Sequence, residues 1–364
     1  MRTIGVVAEC WIAHVDMDAF FVSAELLRRP ELRGKPLVDA TGTDPRARGV
    51  VMAASYEARR FGVHSAVPLA VAHRRCPQAV LLSRDMAYYA ELSRKVMAML
   101  ERYSDRVEVM GLDEAYLDLT ESAAPRACGR RIKHDVCQEL GLTCSVGLAP
   151  NKLLAKIASD LDKPDGFRVL LPDELLAAVG DRPASLIPGV GPKTAKRLAR
   201  LGLSTVADLA RADAGVLERA LGPRHGAALR ARANGVDDRP LETIRERKSE
   251  SRETTFATDV ADQRVLDETL DRLVENLCAG LEKGGFRGRT ISLKIRLKPF
   301  RTFTRSRTIE SHTRSAQTIA RVAHELLDAF ERDAPVRLLG VGIASLEKDV
   351  AETESGQHRL ELSA

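Results

Sequence analysis

The clearest pattern along the chain is an alternation of apolar and polar residues near its carboxyl end. Ile291, Leu293, Ile295 and Leu297 alternate with Ser292, Lys294, Arg296 and Lys298. Because successive side chains of a strand point to opposite faces, this predicts a strand with an apolar face and a basic face. Residues 283–307 contain nine Lys or Arg and no acid. The favoured interpretation is contact with a phosphate backbone; the alternative is a solvated edge strand blunted by lysine.

The amino-terminal half alternates between strand and helix patterns. Asp18 is a candidate N-cap for a helix over Phe20–Leu27. The predicted elements are a buried strand at 11–15, that helix, a loop at 34–48, an amphipathic helix at 88–103, two short strands around a turn at 107–120, a strand at 144–147 and a helix at 151–161.

The pattern changes near residue 172. Short helices separated by Gly and Pro are predicted over 173–240, and the polar run at 242–253 predicts an interdomain linker. A helix at 262–282, strands, a helix at 315–332 and a strand at 336–346 follow. The polar last fifteen residues are predicted to be disordered.

Composition places the chain among globular proteins. Its 364 residues predict two or three domains, and 44% apolar and 29% charged residues are enough for sizeable cores. The net charge of +5 matters less than where the charge clusters. The six cysteines lack metal-site or redox spacing, so we expect reduced thiols in a cytoplasmic protein. Neither a convincing signal peptide nor an 18-residue apolar run is present.

Three acids follow or enter predicted strands. Asp16 comes after a buried strand, and Asp113 and Glu114 stand side by side in an apolar run. Neighbouring side chains of a flat strand point to opposite faces, so both acids reach one site only if the chain turns, which Gly111 permits. Carboxylates from separate segments suit Mg²⁺, and two such ions can catalyse phosphoryl transfer. The alternative is an ordinary acidic turn.

A glycine hairpin precedes a basic helix at residues 186–200. Gly189 and Gly191 allow backbone N–H groups to approach a phosphate, and the helix N-terminus adds a favourable dipole. Lys193, Lys196 and Arg197 add positive charge. The segment looks like a helix-hairpin-helix element, and the favoured interpretation is DNA contact that ignores base identity; without context a Gly-x-Gly turn is a weak signal.

Six sequence blocks in order resemble the Y-family DNA polymerases, specifically the bacterial DNA polymerase IV-like branch. The blocks are His14-Val-Asp-Met-Asp-Ala-Phe-Phe21 with Leu112-Asp-Glu-Ala-Tyr-Leu-Asp118, Tyr56-Glu-Ala-Arg-Arg-Phe-Gly62, Asn151-Lys-Leu-Leu-Ala-Lys-Ile-Ala-Ser159, Lys163-Pro-Asp-Gly166, Pro188-Gly-Val-Gly191 and Arg337-Leu-Leu-Gly-Val-Gly342. The resemblance covers roughly residues 10–348. A single block would be weak evidence, whereas the ordered set is specific.

The resemblance implies a multidomain α+β fold shaped like a right hand. Its expected parts are a catalytic palm (1–19 and 84–172), small fingers (20–83), a helix-hairpin-helix thumb (173–240), a linker (241–251), an α/β little finger (252–348) and a flexible tail (349–364). The implied activity is low-fidelity, template-directed DNA synthesis across damaged templates, without a proofreading exonuclease. The implied partners are primer-template DNA and a deoxynucleoside triphosphate, bound by a monomer that does not associate with membranes.

Individual roles carry over position by position. Asp16, Asp113 and Glu114 are implied to be the catalytic ligands of two Mg²⁺ ions, for which Mn²⁺ can substitute, with the Met17 carbonyl as a further ligand. Phe21 is implied to be a steric gate against a 2′-hydroxyl. The implied nucleotide-binding residues are Phe20, Phe21, Tyr56, Arg59 and Lys163. The implied DNA-binding residues are Gly189, Gly191, Lys193, Lys196, Lys294, Arg296 and Lys298.

The chain also departs from the family pattern. Gly111 stands where the family commonly has serine, and Val50 and Met52, which should cover the nascent base pair, are bulky. Near the end, Gln357, Leu360 and Leu362 resemble a sliding-clamp-binding peptide.

Two alternatives compete with an active polymerase. The first is a non-catalytic DNA-binding homologue, against which the complete set of acids, gate and phosphate-binding residues argues. The second is another palm-like two-metal enzyme such as a nucleotide cyclase, against which the hairpin and the basic strand argue.

Overall fold

The structure is a computed structural model that describes residues 10–348. This part of the chain divides into two units that part between Thr243 and Ile244.

The first unit contains eight strands among the described residues: β1 (Ile12–Met17), β2 (Leu37–Ala40), β3 (Val51–Ala54), β4 (Val80–Ser83), β5 (Val107–Val109), β6 (Glu114–Asp118), β7 (Cys144–Ala149) and β8 (Phe167–Val169). Its α-helices are α1 (Phe20–Arg28), α2 (Tyr56–Arg59), α3 (Leu69–Arg75), α4 (Met86–Leu100), α5 (Pro125–Leu140), α6 (Lys152–Leu161), α7 (Leu175–Val179), α8 (Pro192–Ala199), α9 (Val206–Arg211), α10 (Ala214–Leu221) and α11 (Pro223–Ala233). Short 3₁₀ turns lie at Pro30–Leu32, Pro172–Glu174 and Ala184–Leu186.

A five-stranded sheet in the order β5-β6-β1-β7-β8 forms the centre of this unit. The alternation of β1 divides its side chains between two cores. Val15 packs with α4 and α5 on one face, and Ile12 packs with α6 on the other. Gly147 lets α6 approach β7 closely, since a Cβ at this position would lie 2.0 Å from the Ala155 carbonyl oxygen. Asp16 therefore lies on the face that α6 covers, because it alternates in step with Ile12.

A smaller sheet has the strand order β3-β2-β4. The prediction of a loop throughout 34–48 is wrong, because part of this segment is strand β2 of that sheet. Residues 37–40 of that segment form a strand in which all four residues are buried. Asp39 concealed this strand from the sequence pattern, because aspartate is depleted in strands. Here its carboxylate accepts a hydrogen bond from the Tyr89 hydroxyl at 2.8 Å, which offsets part of the cost of burial.

Asp39 is expected to make the stability of this unit depend on pH. Burial raises the pKa of Asp39 from 3.8 to about 6. Between these values the folded protein binds more protons than the unfolded chain, so stability falls as the pH rises and the loss is complete above about pH 6. Asparagine does not ionise, so Asp39→Asn removes this loss. The free energy of unfolding of the variant minus that of wild type should therefore be about 3 kcal/mol larger at pH 8 than at pH 4.

The measurement is chemical denaturation followed by fluorescence of Trp11, the one tryptophan of the chain, which adjoins β1. An equal difference between variant and wild type at both pH values would contradict the prediction.

Short helices follow the sheet, as predicted for 173–240, and the hairpin lies between a 3₁₀ turn and α8. Gly189 has a φ of +102°, and a Cβ there would lie 2.8 Å from Arg232 Nη1. That guanidinium donates to the Pro188 carbonyl at 2.9 Å and so fixes the turn. Glycine is therefore favoured at position 189 by its conformation, and a side chain there would also displace the Arg232 guanidinium from the turn.

The second unit consists of the strands β9 (Ser249–Val260), β10 (Phe286–Leu297), β11 (Arg301–Thr313), β12 (Val336–Ala344) and β13 (Glu347–Lys348), with helices α12 (Gln263–Lys283) and α13 (Ala316–Asp328). The main sheet has the order β11-β10-β12-β9. Both helices pack on the face that carries Ile291, Leu293 and Ile295. The predicted alternation is confirmed, and β10 is an interior strand, which removes the solvated-edge alternative.

Three predicted boundaries in this region are wrong. Strand β9 begins at Ser249, inside the linker predicted at 241–251, because Glu250 is buried and ion-paired with Arg247 and Arg252. The second helix ends at Asp328 rather than 332, and the last long strand ends at Ala344 rather than 346. Charged residues that pair within the fold resemble a linker in sequence.

No helix in residues 10–348 combines the length and the apolar character needed to cross a membrane.

Candidate active site

Asp16 and Glu114 face each other across two central strands. In the antiparallel pairing of β1 with β6, Asp16 lies directly opposite Glu114. Opposed residues in such a pair place their side chains on the same face. Each acid is paired with a lysine from the segment that covers this face: Lys163 Nζ lies 2.8 Å from Asp16, and Lys156 donates to Glu114.

Asp113 lies outside the strand that begins at Glu114. Its backbone carbonyl accepts a hydrogen bond from Met17 N at 2.8 Å, and Met110 N donates to the Glu114 carbonyl at 3.0 Å. The chain turns between these bonds, so the rule that neighbours on a strand point to opposite faces does not apply to Asp113 and Glu114. Asp16 and Asp113 line the same cleft.

Gly111 is not sterically required in this turn. A Cβ added at position 111 would lie 3.5 Å from Asp113 Oδ1, an ordinary contact distance. The serine that the family commonly carries here would therefore fit without moving the acids.

The three acids differ in their protonation. Desolvation, reinforced by Asp16 and Glu114, raises the pKa of Asp113 from 3.8 to about 6. Desolvation also raises the pKa of Asp16, although Lys163 opposes the shift. A hydrogen bond from His14 and the charge of Lys156 lower the pKa of Glu114 to about 2. The acids are therefore crowded together with little water, an arrangement that a bound cation would relieve.

His14 belongs to this site but received no role from its sequence. Its Nδ1 lies 2.8 Å from Ser159 Oγ, and its Nε2 lies 3.3 Å from Glu114 Oε2. Burial lowers the pKa of His14, and its buried Nε2 faces the Glu114 carboxylate. The signal that could have found it is its spacing: His14 lies two residues before Asp16 on a strand and so shares its face.

The residues present fit divalent cations. Ligand atoms of His14, Asp16 and Glu114 lie within 4.8 Å of one another. Carboxylate oxygens are the donors that Mg²⁺ prefers, and Asp113 offers another from the cleft wall. Lys163 and Lys156 supply positive charge to Asp16 and Glu114 in the structure, as a bound cation would.

The cleft beside these acids has a volume of about 230 Å³. It brings together every residue with an implied nucleotide-binding role: Phe20, Phe21, Tyr56, Arg59 and Lys163. Met17 and Met52 also line it, whereas Val50 forms a bridge with Pro68.

Cationic and aromatic groups are held together on the cleft wall. The Arg59 guanidinium lies 4.6 Å from the centroid of the Tyr56 ring, and its Nε donates to the Ala54 carbonyl. Burial opposes the charge of Lys163, but its ion pairs with Asp16 and Asp160 outweigh burial and hold its pKa above the ordinary value. Lys163 can therefore accept a polyphosphate without first having to gain a proton, and Arg59 offers a guanidinium fork that suits phosphate oxygens.

Asp18 is not the N-cap of α1, contrary to the prediction. The cap position is Ala19, in a left-handed conformation and without a side-chain cap. Asp18 is buried and accepts hydrogen bonds from Ser145 Oγ and from the backbone N–H of Asp165, both at 2.8 Å. These bonds tie β1 to the segment that carries Lys163, and they explain an acid that helix signals alone misassign.

The residues with implied DNA contacts lie on two surfaces in separate units. In the first unit, Lys193 and Lys196 are exposed on α8, and Gly191 has open space where a side chain would be. In the second, Lys294 and Arg296 lie on the sheet face opposite the helices, with Lys298 exposed just beyond the strand.

The sheet face is less uniformly basic than its sequence predicts. Lys294 Nζ lies 2.6 Å from Glu253 Oε2, and Arg296 Nε donates to Thr302 Oγ1. Glu253 comes from the distant strand β9, so the alternation within β10 could not reveal this pair.

Comparisons with known proteins agree with this geometry. The impB/mucB/samB family profile matches residues 15–160, its C-terminal domain matches residues 247–360, and a profile described as the DNA polymerase-iota thumb domain matches residues 185–237. The chain is 44% identical to a DNA polymerase IV of Methanoculleus marisnigri over 92% of this chain and 94% of the relative. It is 43% identical to one of Alkalilimnicola ehrlichii over 92% and 95%, respectively.

A solved structure is also similar. The Y-family DNA polymerase chimera Dbh-Dpo4(243-245)-Dbh is 28% identical, with a TM-score of 0.83 over 93% of this chain and 100% of the chimera.

Proposed function

Because the chain belongs to the Y family of DNA polymerases, in the DNA polymerase IV-like branch, and is a DNA-directed DNA polymerase, we propose that it copies damaged templates with low fidelity by a two-metal mechanism. The observation that carries the proposal is the convergence of Asp16, Asp113 and Lys163 on one cleft, with Glu114 opposite Asp16.

The acids hold the reacting ends in this proposal. Asp16, Asp113 and Glu114, with the Met17 carbonyl, would hold two Mg²⁺ ions. When bound, the ions supply the charge that activates the attacking hydroxyl and stabilises the leaving pyrophosphate. His14 keeps the Glu114 carboxylate oriented.

The cleft wall selects and holds the incoming nucleotide. Arg59 and Lys163 neutralise the triphosphate, whose charge redistributes in the transition state, and Tyr56 adds a hydroxyl donor. Phe20 and Phe21 lie under the sugar, and Phe21 acts as the gate against a 2′-hydroxyl. We assign residues 1–19 and 84–172 to the palm and 20–83 to the fingers.

DNA is held through its backbone. Gly189 and Gly191 with Lys193 and Lys196 would contact phosphates from the thumb (173–240). Lys294, Arg296 and Lys298 would do so from the little finger (252–348). These contacts are independent of sequence, which suits a polymerase that must accept distorted templates. The protein would act as a monomer in the cytoplasm, without proofreading.

The carboxyl-terminal peptide would recruit a sliding clamp. Gln357, Leu360 and Leu362 lie outside the described residues, and their spacing alone supports this proposal. Removing residues 357–364 is expected to abolish stimulation of synthesis by the bacterial clamp while leaving basal synthesis intact. The assay compares extension with and without clamp on the same circular primed template. Equal stimulation of both forms would refute the role of the peptide.

The decisive test of the proposed function is primer extension by the full chain on a primed template. Undamaged templates and templates with an abasic site are compared, with Mg²⁺ present or chelated. We expect extension on both templates, dependent on the cation. A protein that binds primed DNA but extends neither template would be the non-catalytic homologue, and one that stops before every lesion would lack the translesion role.

A further inference from the structure

Tyr89 lies directly behind the proposed gate. It is fully buried in the first turn of α4. Its ring stacks on Phe21 with centroids 4.6 Å apart and an angle of 14° between the planes. Phe21 also lines the cleft, so its ring has the nucleotide site beside it and Tyr89 against one face.

The Tyr89 hydroxyl is fixed by two buried carboxyl groups. It donates to Asp39 Oδ2 at 2.8 Å and lies 3.1 Å from Glu25 Oε1. Asp39 and Glu25 are 0% and 1% exposed. Because they come from β2 and α1, they tie the Tyr89 ring to two elements besides its own helix.

This cluster is expensive to build. Two carboxyl groups are buried around a single phenol proton. Asp39 Oδ1 has no hydrogen-bond partner among the described residues, and Glu25 Oε2 is paired with the Arg29 guanidinium at 3.6 Å without a hydrogen bond. A buried polar atom without a partner costs free energy. A phenylalanine at position 89 with apolar neighbours would keep the aromatic packing at lower cost, so the cluster does something other than stabilise the fold.

We propose that Tyr89, held by Glu25 and Asp39, is a positioning residue for sugar selection: its ring supports Phe21 and prevents the gate from yielding to a ribonucleotide. The inference rests on the proposed function, and specifically on Phe21 as the gate.

Rigidity decides how well such a gate works. Apolar contacts reject an added hydroxyl only weakly, by roughly a hundredfold in a well-formed pocket. That discrimination requires the contacting ring to stay within about 0.5 Å of its position. A Phe21 ring without support could shift into the space behind it and accept the extra oxygen. The stacked Tyr89 ring, fixed by its hydrogen bonds, prevents this displacement of Phe21.

The test measures kcat/KM for a deoxynucleotide and for the matching ribonucleotide in single-nucleotide primer extension. Tyr89→Leu is expected to lower the ratio of the two values by about tenfold, equivalent to about 1.4 kcal/mol. Tyr89→Phe keeps the stack but loses the hydrogen bond, so a smaller fall of about threefold is expected. Asp39→Asn keeps an acceptor oxygen for the phenol and should retain the wild-type ratio.

Tyr88→Leu is the matched control. Tyr88 neighbours Tyr89 on the same helix, and their rings meet at a tilt with centroids 6.1 Å apart. The Tyr88 ring lies under the Arg28 guanidinium, and its hydroxyl donates to the Ala24 carbonyl. The ratio should stay at the wild-type value in Tyr88→Leu. Thermal unfolding of each variant establishes that the compared proteins are folded. If Tyr89→Leu does not fold, the comparison of Tyr89→Phe with Asp39→Asn carries the test.

The outcomes separate this inference from the proposed function. An intact protein that incorporates no deoxynucleotide would overturn the proposed function. Phe21→Ala with an unchanged ratio would overturn the gate and this inference with it. The support role alone would be overturned if sugar selection fell in Phe21→Ala but folded Tyr89→Leu and Tyr89→Phe kept the wild-type ratio. Equal losses of the ratio in the Tyr88 and Tyr89 variants would overturn it as well.

Discussion

Asp113→Ala is expected to lower the rate of primer extension by about a thousandfold or more, because it removes a carboxylate from the wall that Asp16 shares. The fold should not suffer. Desolvation and the neighbouring acids Asp16 and Glu114 raise the pKa of Asp113 to about 6, so its charge is unfavourable in the protein without a cation. We therefore expect the melting temperature of the metal-free variant to equal or exceed that of wild type.

Gly111→Ser is the control for this experiment. It changes the same turn, and its new Cβ meets only an ordinary contact with Asp113. Its extension rate should stay within about twofold of wild type, because surface substitutions of this kind seldom cost more than about 0.5 kcal/mol. Binding of primed DNA, measured by fluorescence anisotropy, should be equal in the two variants. An Asp113→Ala protein that still extends primers would remove this acid from the catalytic set.

Patterns that depend on neighbouring positions were predictable from the sequence. The alternation in β10, the amphipathic helix α4 and the turn between β5 and β6 all follow local rules, and the structure confirms them. The polymerase fold class is confirmed by the family profiles and by the similar solved structure. The ordered motifs made that prediction possible, since no single segment specifies how the sheets assemble.

What the sequence concealed is pairing between distant polar residues. Asp18 resembles an N-cap until Ser145 and Asp165 are brought to it by β7 and the turn before β8. Asp39 resembles a loop residue until Tyr89 reaches it from α4. In each case the propensity rules treat the polar side chain as if it faced water. A hydrogen-bond partner 50 or more positions away lowers the free-energy cost of burying it.

Lys152 is the most consequential example of such a pair. On helix α6 its position resembles a solvated lysine, yet it is 5% exposed, and its Nζ lies 2.5 Å from Oε2 of Glu108, itself 7% exposed. The ammonium also donates to the Pro240 carbonyl, and Glu108 accepts from the Glu242 N–H. The pair thus ties the end of the first unit to its central sheet.

Lys152→Met alone is expected to destabilise the first unit by about 3–5 kcal/mol, because it leaves the buried Glu108 carboxyl group without the ammonium that pairs with it. Adding Glu108→Gln should recover most of this loss, since the amide oxygen still accepts from Glu242 and no charge remains to be buried. Denaturant unfolding followed by Trp11 fluorescence reports on this unit. If the double variant lost the sum of the stabilities lost in Lys152→Met and in Glu108→Gln, the two charges would stabilise the unit independently. The pair would then not be the contact that holds 240–242 against the sheet.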